Sequence, residues 1–131
     1  MQKMKLGTAA IIRSGDRYFV ARRGPAEKLA GFWEFPGGKA EEYETLQDCL
    51  KRELKEELGV VANVGDELTS SDYIYEHGSI RLVALETTIV SGRPTLTVHD
   101  KSDWLSPAEI LKLELAPADI PIAQYLLDKT P

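Results

Sequence analysis

The sequence predicts an α/β fold in which one mixed sheet carries helices on both faces, and three observations predict it. Apolar runs of strand length precede a Glu-rich segment of helical period, further strand-like runs follow, and helical stretches close the chain. Between Ser79 and Val90, Ile80, Leu82 and Ala84 alternate with Arg81, Val83 and Leu85, so both faces of that strand are largely apolar, as a strand buried between layers requires. With 131 residues and 43% apolar composition, the chain suffices for one real core and is short for two, so a single domain over residues 1–131 is expected.

Residues from about Lys5 to Arg13 read as a first strand, Ser14-Gly15-Asp16 as a turn and Tyr18-Phe19-Val20-Ala21 as the returning strand of a hairpin. Lysines ahead of the apolar run Leu6–Ile12 imitate a secretion signal, but the run is short and Arg13 interrupts it. From Arg22 to Leu29 the chain is charged and contains Gly24-Pro25, which reads as an exposed loop. Next come aromatics against glycines, Gly31-Phe32-Trp33-Glu34-Phe35-Pro36-Gly37-Gly38, where Trp33 and Phe35 belong either to the core or to a site and Pro-Gly-Gly demands a turn that side chains would obstruct.

The main helix is expected to start at Thr45, where Thr45-Leu46-Gln47-Asp48 matches a capping box, and to end at Gly59. Strands follow at Val60–Val64, Glu67–Tyr75 and Ser79–Val90, with a His77-Gly78 corner, a Ser91–Pro94 turn and a short strand near Ser102–Leu105. Ser106-Pro107-Ala108-Glu109 opens a second helix, and Ile122–Leu127 makes a last short one after the proline-interrupted stretch Leu113–Pro121.

Formal net charge is −5 and the longest basic cluster is Arg22-Arg23, so no nucleic-acid polymer is expected as partner. The single cysteine, Cys49, lies at helical spacing with the leucines and reads as a small buried residue, not a nucleophile. No run is long enough to span a membrane, which places the expected location in the cytoplasm, as a monomer or a homodimer.

Chemistry is concentrated in the main helix. Leu46, Leu50, Leu54 and Leu58 form an apolar stripe, and Glu53, Glu56 and Glu57 share an arc that adjoins it instead of opposing it. Carboxylates crowded at the edge of a core repel one another and lose hydration unless a cation compensates, and oxygen donors of this kind suit Mg²⁺, with Mn²⁺ as a substitute. The alternative is a solvated helix face with charges paired one turn apart.

The spacing decides between the two. From Gly38 to Val60 the chain resembles the Nudix box of the Nudix hydrolases, G-x5-E-x7-R-E-U-x-E-E-x-G-U with U aliphatic, filled by Gly38, Glu44, Arg52, Glu53, Leu54, Glu56, Glu57, Gly59 and Val60. The resemblance implies a Nudix-type α/β/α sandwich with a mixed β-sheet and metal-assisted hydrolysis of a phosphoanhydride in a small-molecule nucleotide. It implies that Glu53, Glu56 and Glu57 hold the metal with a carbonyl of Gly37 or Gly38, that Glu53 or Asp103 takes the proton from water, and that Arg52 pairs with Glu44 to orient the acidic face.

Outside the box, Leu29–Lys39 with Arg22-Arg23 upstream looks like the MutT-type nucleoside triphosphate pyrophosphohydrolases. In that branch an arginine matching Arg23 contacts phosphates, and a segment matching Glu34, Phe35, Pro36 and Gly37 borders the nucleotide. Relatives specific for 8-oxoguanine carry Pro-Ala-Asn where this chain has Pro117-Ala118-Asp119, a motif it shares with the CTP pyrophosphohydrolases. An ionised Asp119 only accepts hydrogen bonds, which suits the cytosine amino group; a protonated one is needed for an oxopurine, and the plain alternative is a cap on the last helix. Tyr75 stacks on a base or packs in the sheet; Asp103 is an extra acid near the metal or a strand-end charge. His77 and His99 lack partners at metal-ligand spacing and read as surface or turn residues. The function expected is cleavage of nucleoside triphosphates, CTP, dCTP or 5-methyl-dCTP first, to monophosphate and pyrophosphate, in sanitising the nucleotide pool; 8-oxo-dGTP, ADP-ribose-type diphosphates and a non-enzymatic nucleotide sensor are the alternatives.

Overall fold

A computed structural model describes residues 4–76 and 78–130. Strand β1 (Met4–Ser14) turns at Gly15 into β2 (Arg17–Arg23), with Arg13 opposite Tyr18. β2 therefore runs two residues into the stretch expected to be loop, which places Arg23 on a strand. A two-residue strand, β3 (Trp33–Glu34), escaped the sequence reading because two residues carry no period; it pairs with β2.

Helix α1 (Leu46–Leu58) forms where expected. The Thr45 hydroxyl accepts from the Asp48 N–H at 3.0 Å, the first half of a capping box. Gly59, at φ 68° and ψ 23°, closes the helix in the left-handed region with its N–H on the Lys55 carbonyl. β4 (Val61–Tyr75) is one long strand where two were expected, with register shifts at Val64/Glu67 and Glu67/Thr69, so the irregularity around Gly65-Asp66 bends the strand without ending it. β5 (Gly78–Ser91) returns antiparallel to it, and the turn role expected of His77 lies outside the described residues. β6 (His99–Leu105) starts three residues before the predicted strand. α2 (Pro107–Ile110) is a single turn with a complete Ser106/Glu109 capping box. A 3₁₀ turn (Pro117–Asp119) leads into α3 (Ile120–Asp128), which begins two residues early because Pro121 sits in its first turn, where no N–H is required.

The six strands form one sheet in the order β3-β2-β1-β5-β4, with β6 on β2. β1 and β5 are parallel, from Met4 opposite Ser79 to Ile12 opposite Thr87, and the other pairings are antiparallel. The alternation along β5 sorts as predicted. Leu82 and Ala84 pack with Ile110, Ile122 and Leu126 on the face under α2 and α3. Val83 and Leu85 pack with Leu50, Leu54 and Leu58 under α1. Fully burying each of those leucines contributes about 1.5–3 kcal/mol, which holds the acidic side of α1 at a fixed height over the sheet edge. The α/β/α sandwich with a mixed sheet is the fold expected.

Candidate active site

Residues 36–40 lie along β1 and carry the glycine turn into the site. The Ala10 N–H donates to the Pro36 carbonyl at 2.7 Å, that of Thr8 to Gly38 at 2.8 Å and that of Ala40 to Leu6 at 2.9 Å. A Cβ on Gly37 would stand 1.9 Å from the Thr8 carbonyl oxygen, and one on Gly38 would stand 2.2 Å from the Glu53 carboxyl carbon, so glycine at both is set by close approach. The Gly38 carbonyl already accepts from the Thr8 N–H and, at 3.0 Å, from its hydroxyl. Cys49 is fully buried behind this turn, its Sγ 3.6 Å from the Gly38 oxygen, as a packing residue.

Arg52 organises the acids of α1. Its Nε and Nη2 donate to both oxygens of Glu44 at 2.8 and 2.9 Å, and its Nη1 donates to Glu53 at 2.8 Å and to Glu56 at 3.4 Å. The guanidinium, with the Glu41 N–H second, holds the Glu44 carboxyl at about 2, and those carboxylates hold Arg52 above its ordinary value. Glu57 has no such partner. One of its oxygens is buried without any hydrogen bond, and burial, then Glu34 and Glu53, push its carboxyl up to about 8. An orphaned carboxylate oxygen beside two further acids is a site that a divalent cation fits.

His99 was misjudged from the sequence. It is buried, not at the surface, with Nε2 2.8 Å from Glu34, and Glu34, Glu57 and His99 each offer a ligand atom within 4.8 Å of the others. Among the described residues this is the group of three that converges so tightly; Glu53 and Glu56 lean toward Arg52 instead. The register of β2 and β6 sets Arg23 opposite His99, and no alternation in β6, where His99 is buried and the next four residues are exposed, could have signalled it. Asp103, four residues further along β6, is exposed and its carboxylate accepts from the Trp104 N–H at 2.7 Å.

Beside this cluster opens a cavity of about 430 Å³ lined in part by Arg23, Glu34, Phe35, Gly37, Tyr75 and Asp119. Pro36 is buried behind the wall and does not line it. Phe35 is core, 2% exposed, and reaches the cavity from its inner side. Tyr75 lines the cavity and meets Tyr73 edge-on with centroids 4.5 Å apart. Arg23 donates to both oxygens of Glu34 at 3.3 and 3.1 Å, to the Lys28 carbonyl, and lies 3.7 Å from Glu27. Asp119 makes no capping bond to α3; it is buried, and its carboxylate accepts from the Phe35 N–H at 2.9 Å. Burial and then Glu34 drive its carboxyl well above the usual range, against the pull of the Phe35 N–H and Arg23.

Residues 3–126 match the family model described as the NUDIX domain. The chain belongs to the Nudix family. It is 38% identical over 95% of its length to the CTP pyrophosphohydrolase of Escherichia coli K12, of which 93% is covered. It is 40% identical over 84% of its length to the putative 8-oxo-dGTP diphosphatase 2 of Mycobacterium tuberculosis H37Rv, of which 78% is covered. The solution structure of the E. coli ORF135 protein superimposes with a TM-score of 0.84 at 36% identity, covering 97% of this chain and 91% of that one. The protein is thus a Nudix hydrolase of the MutT-like branch.

Proposed function

We propose that this Nudix hydrolase cleaves (deoxy)nucleoside triphosphates to the monophosphate and pyrophosphate, with cytosine nucleotides preferred. What carries the reading is the arrangement of two acidic sites around one cavity: the orphaned Glu57 with Glu53 and Glu34 at the edge of α1, and the buried Asp119 at the wall. Gly37 through its carbonyl, and Glu53, Glu56 and Glu57 through their carboxylates, would hold Mg²⁺ or Mn²⁺; the Gly38 carbonyl, already committed to Thr8, is the weaker candidate. The bound ion supplies charge neutralisation on phosphate oxygens and acidification of water.

The chain's own residues do the rest. Arg52 fixes Glu53 against the glycine turn, where it can accept the proton of the attacking water as a P–O bond forms and the anhydride bond to the leaving group breaks. Asp119 offers the oxygen not taken by Phe35 to the base, and Tyr75 offers a ring face to it. Cytosine preference is supported by the E. coli CTP pyrophosphohydrolase relative. A second reading, 8-oxo-dGTP, has its own support: burial favours a protonated Asp119, which can donate as well as accept, so the acceptor-only argument for the cytosine amino group loses force. Relatives of that name are present too. The cytoplasm is the location proposed; among the described residues no helix is long and apolar enough to cross a membrane.

The test is release of pyrophosphate and orthophosphate from CTP, dCTP, 5-methyl-dCTP, 8-oxo-dGTP and ADP-ribose, with Mg²⁺ and with chelator. Metal-dependent pyrophosphate release highest on cytosine nucleotides is expected. A maximum on 8-oxo-dGTP transfers the assignment to the second reading, and no triphosphate turnover overturns both.

A further inference from the structure

Thr8 is the one polar residue in the buried part of β1, residues 7–12. It is 2% exposed, and by alternation it shares the face from which Ala10 and Ile12 pack under α1. A hydroxyl there costs free energy unless it is bonded, and valine would fill the same space without that cost. The two close bonds that the hydroxyl makes both go to one residue of the glycine turn. Its Oγ1 donates to the Gly38 carbonyl at 3.0 Å and accepts from the Gly38 N–H at 3.3 Å, with the Cys49 sulfur 3.6 Å away. The Gly38 carbonyl has a second donor in the Thr8 N–H at 2.8 Å. For the Gly38 N–H, the Thr8 hydroxyl is the one partner among the described residues.

That N–H decides which way the turn faces. The carbonyl and the N–H of one trans peptide point in opposite directions across its plane. With the Gly38 N–H drawn toward Thr8, the Gly37 carbonyl of the same peptide is turned away from β1. The carbonyls on either side differ from it: those of Pro36 and Gly38 point back at the strand and accept from Ala10 at 2.7 Å and Thr8 at 2.8 Å. Among the described residues no backbone N–H donates to the Gly37 carbonyl. Two glycines flank this peptide, so no side chain of its own resists a change of direction. A Cβ at Gly38 would meet the Glu53 carboxyl, so any such change would be felt beside a second oxygen donor.

We propose that Thr8 is a positioning residue, whose hydroxyl holds the peptide between Gly37 and Gly38 so that the Gly37 carbonyl is presented to the metal. This rests on the metal-assisted reading above. It assigns the aim of that carbonyl to a strand residue 30 positions upstream of Gly38, outside every motif in the chain. The hydroxyl touches neither ion nor substrate and acts through the backbone it holds.

The test compares Thr8→Val, which keeps the shape and removes the hydroxyl, with Thr8→Ser, which keeps the hydroxyl. Binding of Mn²⁺ alone, with no nucleotide present, is read from the electron paramagnetic resonance of the free ion. Thr8→Val is expected to weaken binding at least about tenfold, the low end for losing a group that orients a metal donor, and Thr8→Ser to bind like wild type. In turnover of the best triphosphate, kcat of Thr8→Val should fall at limiting Mg²⁺ and recover as Mg²⁺ is raised, with KM for the nucleotide little changed. A residue that only stabilises the fold would shift the denaturant midpoint and leave the Mn²⁺ affinity of the folded protein as it was. Equal Mn²⁺ affinity in Thr8→Val and wild type, or a Thr8→Ser variant as weak as Thr8→Val, overturns the proposal. If Thr8→Val does not fold, Thr8→Ala against Thr8→Ser puts the same question with the methyl group removed from both. A wild type that binds Mn²⁺ and turns over no triphosphate sinks the substrate reading while the binding comparison still decides on Thr8; a wild type that binds no Mn²⁺ overturns both.

Discussion

The carboxylate of Asp119 and the backbone N–H of Phe35 meet at 2.9 Å across 84 residues of sequence, joining the turn before α3 to the strand before the glycine turn. That bond fixes the cavity wall and leaves one carboxyl oxygen for a ligand. Asp119→Asn can keep accepting from Phe35 and adds a permanent donor. The ratio of kcat/KM for CTP to that for 8-oxo-dGTP should fall by about tenfold or more, the scale of one base-edge pairing. An unchanged ranking would remove Asp119 from base reading.

Glu57 is where pH should be felt. Its carboxyl rises from an ordinary 4.5 to about 8 in the fold, so between those values the unfolded chain is ionised while the folded one prefers the proton. The unfolded state then binds fewer protons, and stability falls as pH rises through that window. In chelator, the melting temperature of wild type should drop from pH 5 to pH 8 relative to Glu57→Gln. Added Mg²⁺ should restore wild type and not the variant; parallel pH profiles would show that Glu57 is not the strained acid.

Glu44 has the opposite sign. Its carboxyl is held at about 2 by Arg52, so its contribution is present above pH 4.5 and disappears as pH falls toward 2. Glu44→Gln should destabilise at neutral pH and match wild type in strong acid. It should also lower kcat, because Arg52 loses the bidentate partner that aims it at Glu53. Retained kcat would confine the pair to a structural role.

The two glycines of the turn should fail differently. Gly37→Ala drives a methyl group into the Thr8 backbone, which cannot retreat without moving β1, and at least about 3 kcal/mol of stability should be lost, the upper end for overpacking. Gly38→Ala meets only the end of the Glu53 side chain, so the protein should stay folded while turnover drops by orders of magnitude. Denaturant unfolding with kinetics on each variant checks both; equal stability losses would contradict the difference in their surroundings.

His99→Leu removes the partner of a half-buried carboxylate. A loss of about 1–3 kcal/mol in denaturant unfolding is expected, the cost of leaving Glu34 under-bonded. A neutral result would mean that Arg23 alone satisfies Glu34.

How far the sequence was legible follows from where each interaction lies along the chain. α1, its Thr45 and Gly59 ends and the leucine stripe are set within about two dozen residues and spacing exposed them, while the Arg52–Glu44 pair in the same stretch was what the family resemblance implied. His99 against Glu34 and Phe35 against Asp119 come together through strand register and loop return, which no local period encodes. Pro36 and Arg23, both expected at the nucleotide, sit differently: Pro36 is buried behind the wall, whereas Arg23 lines the cavity while paired with Glu34.

The parallel pairing of β1 with β5 has a consequence for how the protein is made. Met4 meets Ser79 and Ile12 meets Thr87, so the central strand of the sheet has to wait for a partner some seventy residues behind it in synthesis. Pairings so distant are slow to close, and until they do the β1 edge on which the glycine turn rests is half-supported. During translation the helix of carboxylates should take shape well before the frame that aims it, and the nascent chain should gain hydrolytic competence late, only after β5 has docked and β6 and the Asp119 turn have followed it.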